Sequence, residues 1–226
     1  MDDAAGEAAA QTAWPRPLDG DALAAGWADA WQALGRPPPQ GLCESLQAAW
    51  AGPRRHYHDS CHLGECLAWL QRWAAHAERP AEVALALWFH DAVYDPRAAD
   101  NEALSAAWAR RALAQAGADG AAAERVAGLI LATRHDAPAE EGRDAALLLD
   151  IDLAILGSPP ERFARYDRDV RLEYDHVPAP LYRFGRAAVL RRFLARPLLY
   201  LTAPAAALLE APARRNLAAA IAGLKA

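Results

Sequence analysis

Patterns that indicate β-strands are scarce in the sequence. No stretch alternates apolar and polar residues over a useful length, and no Asn-Gly or Asp-Gly pair joins two such stretches into a hairpin. Segments with a helical apolar stripe recur instead, and many of them are bounded by an Asp cap, a Gly or a Pro. The sequence therefore predicts an all-α protein.

Cysteine is scarce as well. The three cysteines, Cys43, Cys61 and Cys66, are odd in number and include no Cys-x-x-Cys pair, which argues against a disulfide framework or a zinc knuckle. No apolar run is long enough to span a bilayer. The net charge of −5 gives no electrostatic reason to bind nucleic acid or an acidic membrane. These absences predict a soluble, cytoplasmic protein without a nucleic-acid polymer or a membrane as its partner.

The predicted helices follow one another without a linker rich in Gly, Ser or Pro, and no internal repeat is visible. We therefore expect one helical domain over residues 18–226, after a disordered N-terminus over residues 1–17. Three prolines are expected to divide the last third of the chain into two or three helices: Pro197, Pro204 and Pro212.

Two of the predicted helices contain candidate functional residues, and the sequence indicates where each helix begins. Asp59 or Ser60 can cap a helix that begins within the stretch "RRHYHDSCHLGECLAW". Pro80 opens "PAEVALALWFHDAVY", which is apolar nearly all round and so predicts a buried helix. The pair Asp95-Pro96 is expected to end this second helix.

Histidine is rare, but its distribution is uneven. The chain has seven histidines, and three of them, His56, His58 and His62, lie within seven residues of one another. We expect His56 to point away from the protein, whereas His58 and His62 are four residues apart and can share one side of a helix. The histidine cluster is the first candidate for a functional site.

Two apolar helices carry further groups that can bind a metal ion. His90 and Asp91 end the helix that Pro80 opens, and Asp150 and Asp152 interrupt "ALLLDIDLAIL". Burying unpaired carboxylates and imidazoles costs several kcal/mol on an order-of-magnitude basis, so these groups are expected to have partners. A divalent cation would satisfy them together, and a mixed N/O site suits Mn, Fe, Co, Ni or Zn better than Ca.

The order of these motifs resembles the HD superfamily of metal-dependent phosphohydrolases: a lone His, a His-Asp doublet about thirty residues later, and an Asp on a later helix. The phrases "RHYHDSCHLGECL", "LWFHDAVYDP", "LDIDLAILG" and "VRLEYDHV" are similar to those of small bacterial proteins described as predicted HD-superfamily phosphohydrolases. The similarity extends over about residues 50–217. It implies a single-domain helical bundle of the HD type.

The resemblance implies four primary ligands for one or two divalent transition-metal ions: His62, His90, Asp91 and Asp152. His62 is preferred because "HLGECLAWL" matches the first motif helix of the family, and Asp152 because "IDL" resembles its last motif. His58 in place of His62, and Asp150 in place of Asp152, remain open.

The family also suggests roles for further residues. His58, His135 and Asp150 are candidates for a second ion or for lining the site, although His135 is equally compatible with a helix C-terminal cap. The candidate catalytic groups are Asp91, Asp95 and His58. Because Asp95 precedes a proline, a role in forming a turn or ending the helix is a slightly better interpretation of it than a catalytic role. Arginines bind phosphate oxygens in pairs, and three are candidates for the substrate: Arg55, Arg134 and Arg186.

The expected activity is hydrolysis of a small phosphoester, with a nucleotide-like molecule among the candidates, by water that a metal ion activates. Two alternatives keep the same fold. Some HD proteins hold two irons and oxidise carbon substrates with dioxygen, and the surplus histidines allow that reaction. A non-catalytic, ligand-binding HD module is the second alternative, although the complete ligand set argues against it.

Overall fold

A computed structural model describes residues 14–135 and 142–224, and within them the chain forms ten α-helices and no strand, which confirms the all-α prediction. The helices are α1 (Gly20–Ala33), α2 (Leu42–Trp50), α3 (Ser60–Trp73), α4 (Pro80–Phe89), α5 (Asn101–Gln115), α6 (Gly120–Ala132), α7 (Arg143–Asp152), α8 (Pro160–Glu173), α9 (Ala179–Leu194) and α10 (Ala203–Gly223). Two 3-10 helices, Ala74–His76 and Leu153–Gly157, extend α3 and α7.

The apolar helix α4 is the centre of the fold. Its residues from Leu85 to Phe89 have no measurable exposure, and it packs against α1, α3, α5, α6 and α7. Side chains from all ten helices contribute to one hydrophobic core. The described residues therefore form one domain, and none of their helices is long and apolar enough to cross a membrane.

Helix α4 ends earlier than the sequence predicts, at Phe89 rather than at Asp95-Pro96. The reason is that later backbone groups find partners on α5. The Val93 N–H donates to Ser105 Oγ at 3.1 Å, and the Asp95 N–H donates to Asn101 Oδ1 at 3.0 Å. The chain consequently leaves the helix at the His-Asp doublet.

Helix α3 begins as predicted. The Asp59 carboxylate accepts from the backbone N–H of Cys61 at 2.9 Å and of His62 at 3.2 Å, which is the arrangement of an N-cap. One turn further on, Gly64 lies against the chain that enters α1: a Cβ there would be 2.3 Å from the carbonyl oxygen of Leu18. The glycine therefore allows the N-terminal segment to pack directly over α3.

Of residues 1–17, for which the sequence predicts disorder, the structure describes residues 14–17, whereas residues 1–13 lie outside the described part of the chain. The Trp14 ring packs edge-on against Trp69 with ring centroids 5.2 Å apart. Its Nε1–H donates to Glu65 Oε1 at 3.1 Å. Burial of this ring on α3 orders the segment.

After α8, the described chain contains two helices, α9 and α10, and Pro212 does not break the second. The apolar residues Leu209, Ala213 and Leu217 keep one face of α10 buried on both sides of the proline. This face packs closely on the 3-10 helix, because a Cβ at Gly157 would be 2.7 Å from the Leu209 Cβ. Packing thus offsets the hydrogen bond that the proline removes.

Candidate metal centre

Four groups that can bind a metal ion converge from three helices. They are His62 and Cys66 on α3, His90 directly after α4, and Asp152 at the end of α7, and one ligand atom of each lies within 4.8 Å of the others. His62 Nε2 and His90 Nε2 are 3.4 Å apart, and they lie 3.4 Å and 3.6 Å from Asp152 Oδ1. This buried group could hold a metal ion.

His90 is oriented by the helix that precedes it. Its Nδ1 is 2.8 Å from the carbonyl oxygen of Leu87, which can only accept, so Nδ1 carries a hydrogen and Nε2 faces the cluster. Such an outer hydrogen bond is typical of histidines that bind metals. Asp91 Oδ2 lies 3.3 Å from His90 Nε2, so the two adjacent side chains converge on one point.

His135 binds the second oxygen of Asp152: its Nε2 is 2.9 Å from Oδ2. His135 is the one described residue other than glycine with a positive φ, +55°. This left-handed conformation is costly for a residue with a Cβ, by about 1–2 kcal/mol. The turn after α6 therefore brings the imidazole to Asp152. His135 also lies at the C-terminus of α6, where the alternative prediction placed it, because its N–H donates to the carbonyl oxygen of Ala132 at 3.2 Å.

The charges of the cluster depend strongly on each other. Burial would raise the pKa of Asp152, but hydrogen bonds with His135, His62 and His90 outweigh it and hold this pKa well below its ordinary value. Burial would lower the pKa of His90, but the charges of Asp91 and Asp152 raise it to about 9. In the protein without a metal ion, a proton on His90 thus offsets the charge of the carboxylates, and a bound cation would take over that role.

Cys66 is a member of the cluster that the sequence analysis did not select. Its Sγ lies 3.7 Å from His62 Nδ1 and 3.8 Å from Nε2. Burial raises the pKa of this thiol well above its ordinary value, and the negative charge of Asp152 adds to the effect. The spacing of four residues from His62 on one helix was the signal that the sequence offered.

A cavity of about 430 Å³ opens beside the cluster. Asp91, Asp152 and His135 line its polar part. Its other walls combine aromatic and aliphatic side chains, among them Tyr94, Tyr166, Tyr174, Ile155, Leu156 and Phe193, with polar ones such as Asn101, Glu102 and Arg134. The cavity therefore joins a charged, metal-capable end to a space of the size of a small molecule with mixed polar and apolar walls.

His58 lies on the wall of this cavity and outside the four-residue cluster. Its Nδ1 is 2.7 Å from Glu173 Oε2, while Glu173 Oε1 accepts from the backbone N–H groups of His56, Tyr57 and His58 at 2.8–2.9 Å. The Tyr94 hydroxyl also donates to Oε2, at 2.9 Å. Glu173 was not singled out from the sequence, because its partners at residues 56–58 lie more than a hundred residues earlier in the chain. The side chain of His56 is exposed, in agreement with the prediction that it points away.

The pKa values of this pair shift in opposite directions. Burial would raise the pKa of Glu173, but the hydrogen bond and charge of His58, together with the backbone N–H groups, lower it to about 2. Burial would lower the pKa of His58, but its bond to Glu173 and the charge of Asp91 raise it above its ordinary value. Glu173 is therefore an ionised hydrogen-bond acceptor over the whole neutral range.

Asp150 does not line the cavity, contrary to the expectation. Its oxygens accept from the backbone N–H groups of Leu201 and Thr202 at 2.7 Å each, and from the Thr202 hydroxyl at 2.6 Å. Residues two apart on a helix point about 200° from each other, so α7 can direct only one of its two aspartates to the cluster. Asp152 takes that position, and Asp150 fixes the entry to α10.

Three other candidates also lie away from the cavity. The Arg55 guanidinium donates to the carbonyl oxygens of His58 and Ala92 at 2.8 Å and 3.0 Å. The Arg186 guanidinium forms a salt bridge with the Asp167 carboxylate, with Nη2 3.1 Å from Oδ1. Asp95 Oδ1 accepts from the N–H of Arg97, which is the turn-forming role. Among the candidate arginines, Arg134 is the one that lines the cavity.

No protein-family model, no curated protein and no solved structure matches this chain at a significant level. The chemistry of the site therefore has to follow from its own residues. The buried group of two imidazoles, a thiol and a carboxylate that could hold a metal ion is the feature on which a functional assignment depends.

Proposed function

We propose that the protein is a metal-dependent phosphohydrolase of the HD type, acting on a small phosphoester. The observation that carries this proposal is the cluster of His62, His90 and Asp152 at the polar end of a cavity that also contains Arg134. The cluster offers ligands for a cation, and the guanidinium suits the oxygens of a phosphate. The resemblance of the sequence to HD proteins points in the same direction.

His62, His90, Asp91 and Asp152 would hold the ion. Nitrogen and oxygen ligands in this combination suit Mn, Fe, Co, Ni or Zn. His135, whose Nε2 lies 2.9 Å from the second oxygen of Asp152, would be a ligand for a second ion if two are bound. Such an ion supplies an activated water and polarises a phosphoryl oxygen. This chemistry needs only the ligands and an open side, which the adjoining cavity provides.

The residues of the chain would divide the remaining work. Arg134 binds the phosphate and offsets charge that develops on its oxygens. Asp91, which lines the cavity beside His90, is positioned to accept a proton from the attacking water. The tyrosine-rich walls hold the organic part of the substrate and keep bulk water out. The cavity volume favours a small molecule over a polymer.

The test is the metal content of tag-free protein, measured by elemental mass spectrometry together with the hydrolysis of p-nitrophenyl phosphate. We expect one or two equivalents of a transition metal and release of p-nitrophenol, both lost when His90→Ala and Asp91→Ala are combined. Glu82→Gln is the control, because Glu82 is a buried carboxylate on α4 that pairs with Arg125 away from the cavity.

Three results would contradict the proposal. Protein that stays free of metal after incubation with Mn or Co would remove its basis. Two bound irons with oxygen consumption and no phosphate release would indicate an oxygenase. Hydrolysis that persists in the His90→Ala, Asp91→Ala protein would place the reaction elsewhere.

A further inference from the structure

We propose that the outward face of α9 binds the surface of an anionic membrane. This surface, which we call the α9 face, consists of Leu181, Phe184, Ala188, Arg191 and Arg192, all of them exposed. Their spacing of three or four residues places them on one side of the helix. The inference goes beyond the proposed function and does not depend on it.

The α9 face is apolar where a solvent-exposed helix is ordinarily polar. The opposite side of α9 packs into the protein through Ala187, Leu190 and Phe193, which are buried. A helix with one side in the core is expected to carry polar residues on the other side. Phe184 is nevertheless 77% exposed and Leu181 64%, the highest values among the large hydrophobic side chains of the described residues. Exposed apolar groups placed side by side indicate an interaction surface.

The charge around these apolar residues is of one sign. From residue 176 to residue 209 the chain contains five arginines and no acidic residue. Three of these arginines are exposed and form no ion pair within the described part of the chain: Arg183, Arg191 and Arg192. The net charge of −5 for the whole chain, from which we expected no affinity for an acidic membrane, conceals this local positive excess.

An anionic lipid surface offers a partner to both kinds of residue. Lipid phosphates attract the guanidinium groups, and each arginine close to such a surface strengthens binding about 5-fold. Phe184 and Leu181 leave water for the boundary between the headgroups and the acyl chains, as the apolar residues of interfacial helices do. Because both side chains already project into solvent, this insertion needs no change in the fold.

A second copy of the chain is a poorer occupant of the α9 face. A two-fold symmetric contact would bring the same face of both copies together. The face carries arginines and no carboxylate, so the contact would bury guanidinium groups without partners, which is costly. Charge complementarity therefore favours a lipid surface over self-association.

Membrane binding through α9 would also affect the cavity beside the metal cluster. Val189 and Phe193 belong to the same helix, and both line that cavity. A membrane-bound α9 would therefore hold the cavity close to the lipid surface.

The test is co-sedimentation of the full chain with vesicles of two compositions. One is phosphatidylcholine alone, and the other is an equimolar mixture of phosphatidylcholine and phosphatidylglycerol. We expect the wild type to sediment with the anionic vesicles and to remain in solution with the neutral ones. Binding should weaken as the salt concentration rises, because salt screens exposed charges.

Two variants test whether the α9 face carries the binding. Arg191→Gln combined with Arg192→Gln should weaken it about 25-fold, at about 5-fold for each arginine. Phe184→Ser should weaken it about 10-fold, because the inserted ring is lost. The matched controls, Leu104→Ser and Arg111→Gln, change an exposed leucine and an exposed arginine on α5, and we expect both to bind like the wild type. All these side chains are exposed, so unchanged circular dichroism should confirm that each variant folds.

Several results would overturn the inference. The first is a wild type that sediments with neither kind of vesicle. Equal binding to both compositions, or binding that the α9 variants leave unchanged, would contradict the role of this face. A wild-type dimer that Phe184→Ser dissociates, without vesicle binding, would identify a second copy as the occupant. The exchanged residues lie outside the metal cluster and the cavity wall, so metal content and hydrolysis test the proposed function separately.

Discussion

Asp150 and Asp152 lie two residues apart on α7 and are both largely removed from solvent, yet their surroundings differ in kind. Asp150 faces the start of α10 and accepts from backbone N–H groups and a hydroxyl. Asp152 faces three imidazoles, from His62, His90 and His135. Backbone N–H groups are permanent donors, whereas an imidazole can release its proton to bind a cation. The partners of a buried carboxylate, more than its burial, therefore indicate what it does.

The exchange of Asp152 for Asn should have the largest effect. It removes a negative charge and a ligand oxygen from the centre of the cluster. Loss of an outer hydrogen-bond partner of a metal ligand already weakens binding about 10–100-fold, so we expect a larger loss for Asp152→Asn. Elemental mass spectrometry and zinc titration would measure it. If Asp152→Asn binds metal with the affinity of the wild type, Asp152 is not a metal ligand and is a structural acceptor like Asp150.

The same exchange at Asp150 should affect stability instead. Both carboxylate oxygens of Asp150 accept hydrogen bonds, whereas the amide of an asparagine has one oxygen that accepts and one NH₂ group that donates. In Asp150→Asn, some of the N–H and hydroxyl groups of Leu201 and Thr202 therefore lose their acceptor. A buried group left without its partner costs about 1–3 kcal/mol, and we expect the free energy of unfolding to fall by that amount. Urea unfolding measures it, and metal content is the control. A drop in metal content without a loss of stability would reverse the comparison between the two aspartates.

The sequence was sufficient for most of the helices, though not for the end of α4 or the continuation of α10 through Pro212, and for much of the cluster. Periodicity and end signals predicted the helices, the Asp59 cap predicted the start of α3, and the motif order selected residues that the fold brings together. The choice between Asp150 and Asp152 needed more, because it depends on which side of α7 meets α3 and which meets α10. Glu173 was out of reach for a similar reason: its partners at residues 56–58 are distant in the chain and are joined only by tertiary packing.

Glu173 combines the two kinds of environment, since it binds both backbone N–H groups and an imidazole. Its pKa lies at about 2, below the ordinary 4.5, so it stabilises the protein above pH 4.5 and loses that contribution as the pH falls towards 2. Glu173→Gln cannot titrate. We therefore expect the difference in unfolding free energy between wild type and Glu173→Gln to shrink as the pH falls through this range. Urea unfolding at several pH values tests it, and a difference that is independent of pH would contradict the role of the charge.

Substitution of Cys66 should have the smallest effect, and it tests whether the thiol belongs to the set of metal ligands. Burial and the charges of Asp152 and Glu65 raise the pKa of its thiol well above the ordinary value, which disfavours the thiolate that a metal ligand requires. We expect Cys66→Ala to keep its full metal content, and cobalt-loaded wild type to lack a sulfur-to-cobalt charge-transfer band in its absorption spectrum. Such a band, lost in Cys66→Ala, would make the thiol a ligand. The ligand set would then contain a soft donor and favour zinc, because thiolate ligands select for it over the harder manganese.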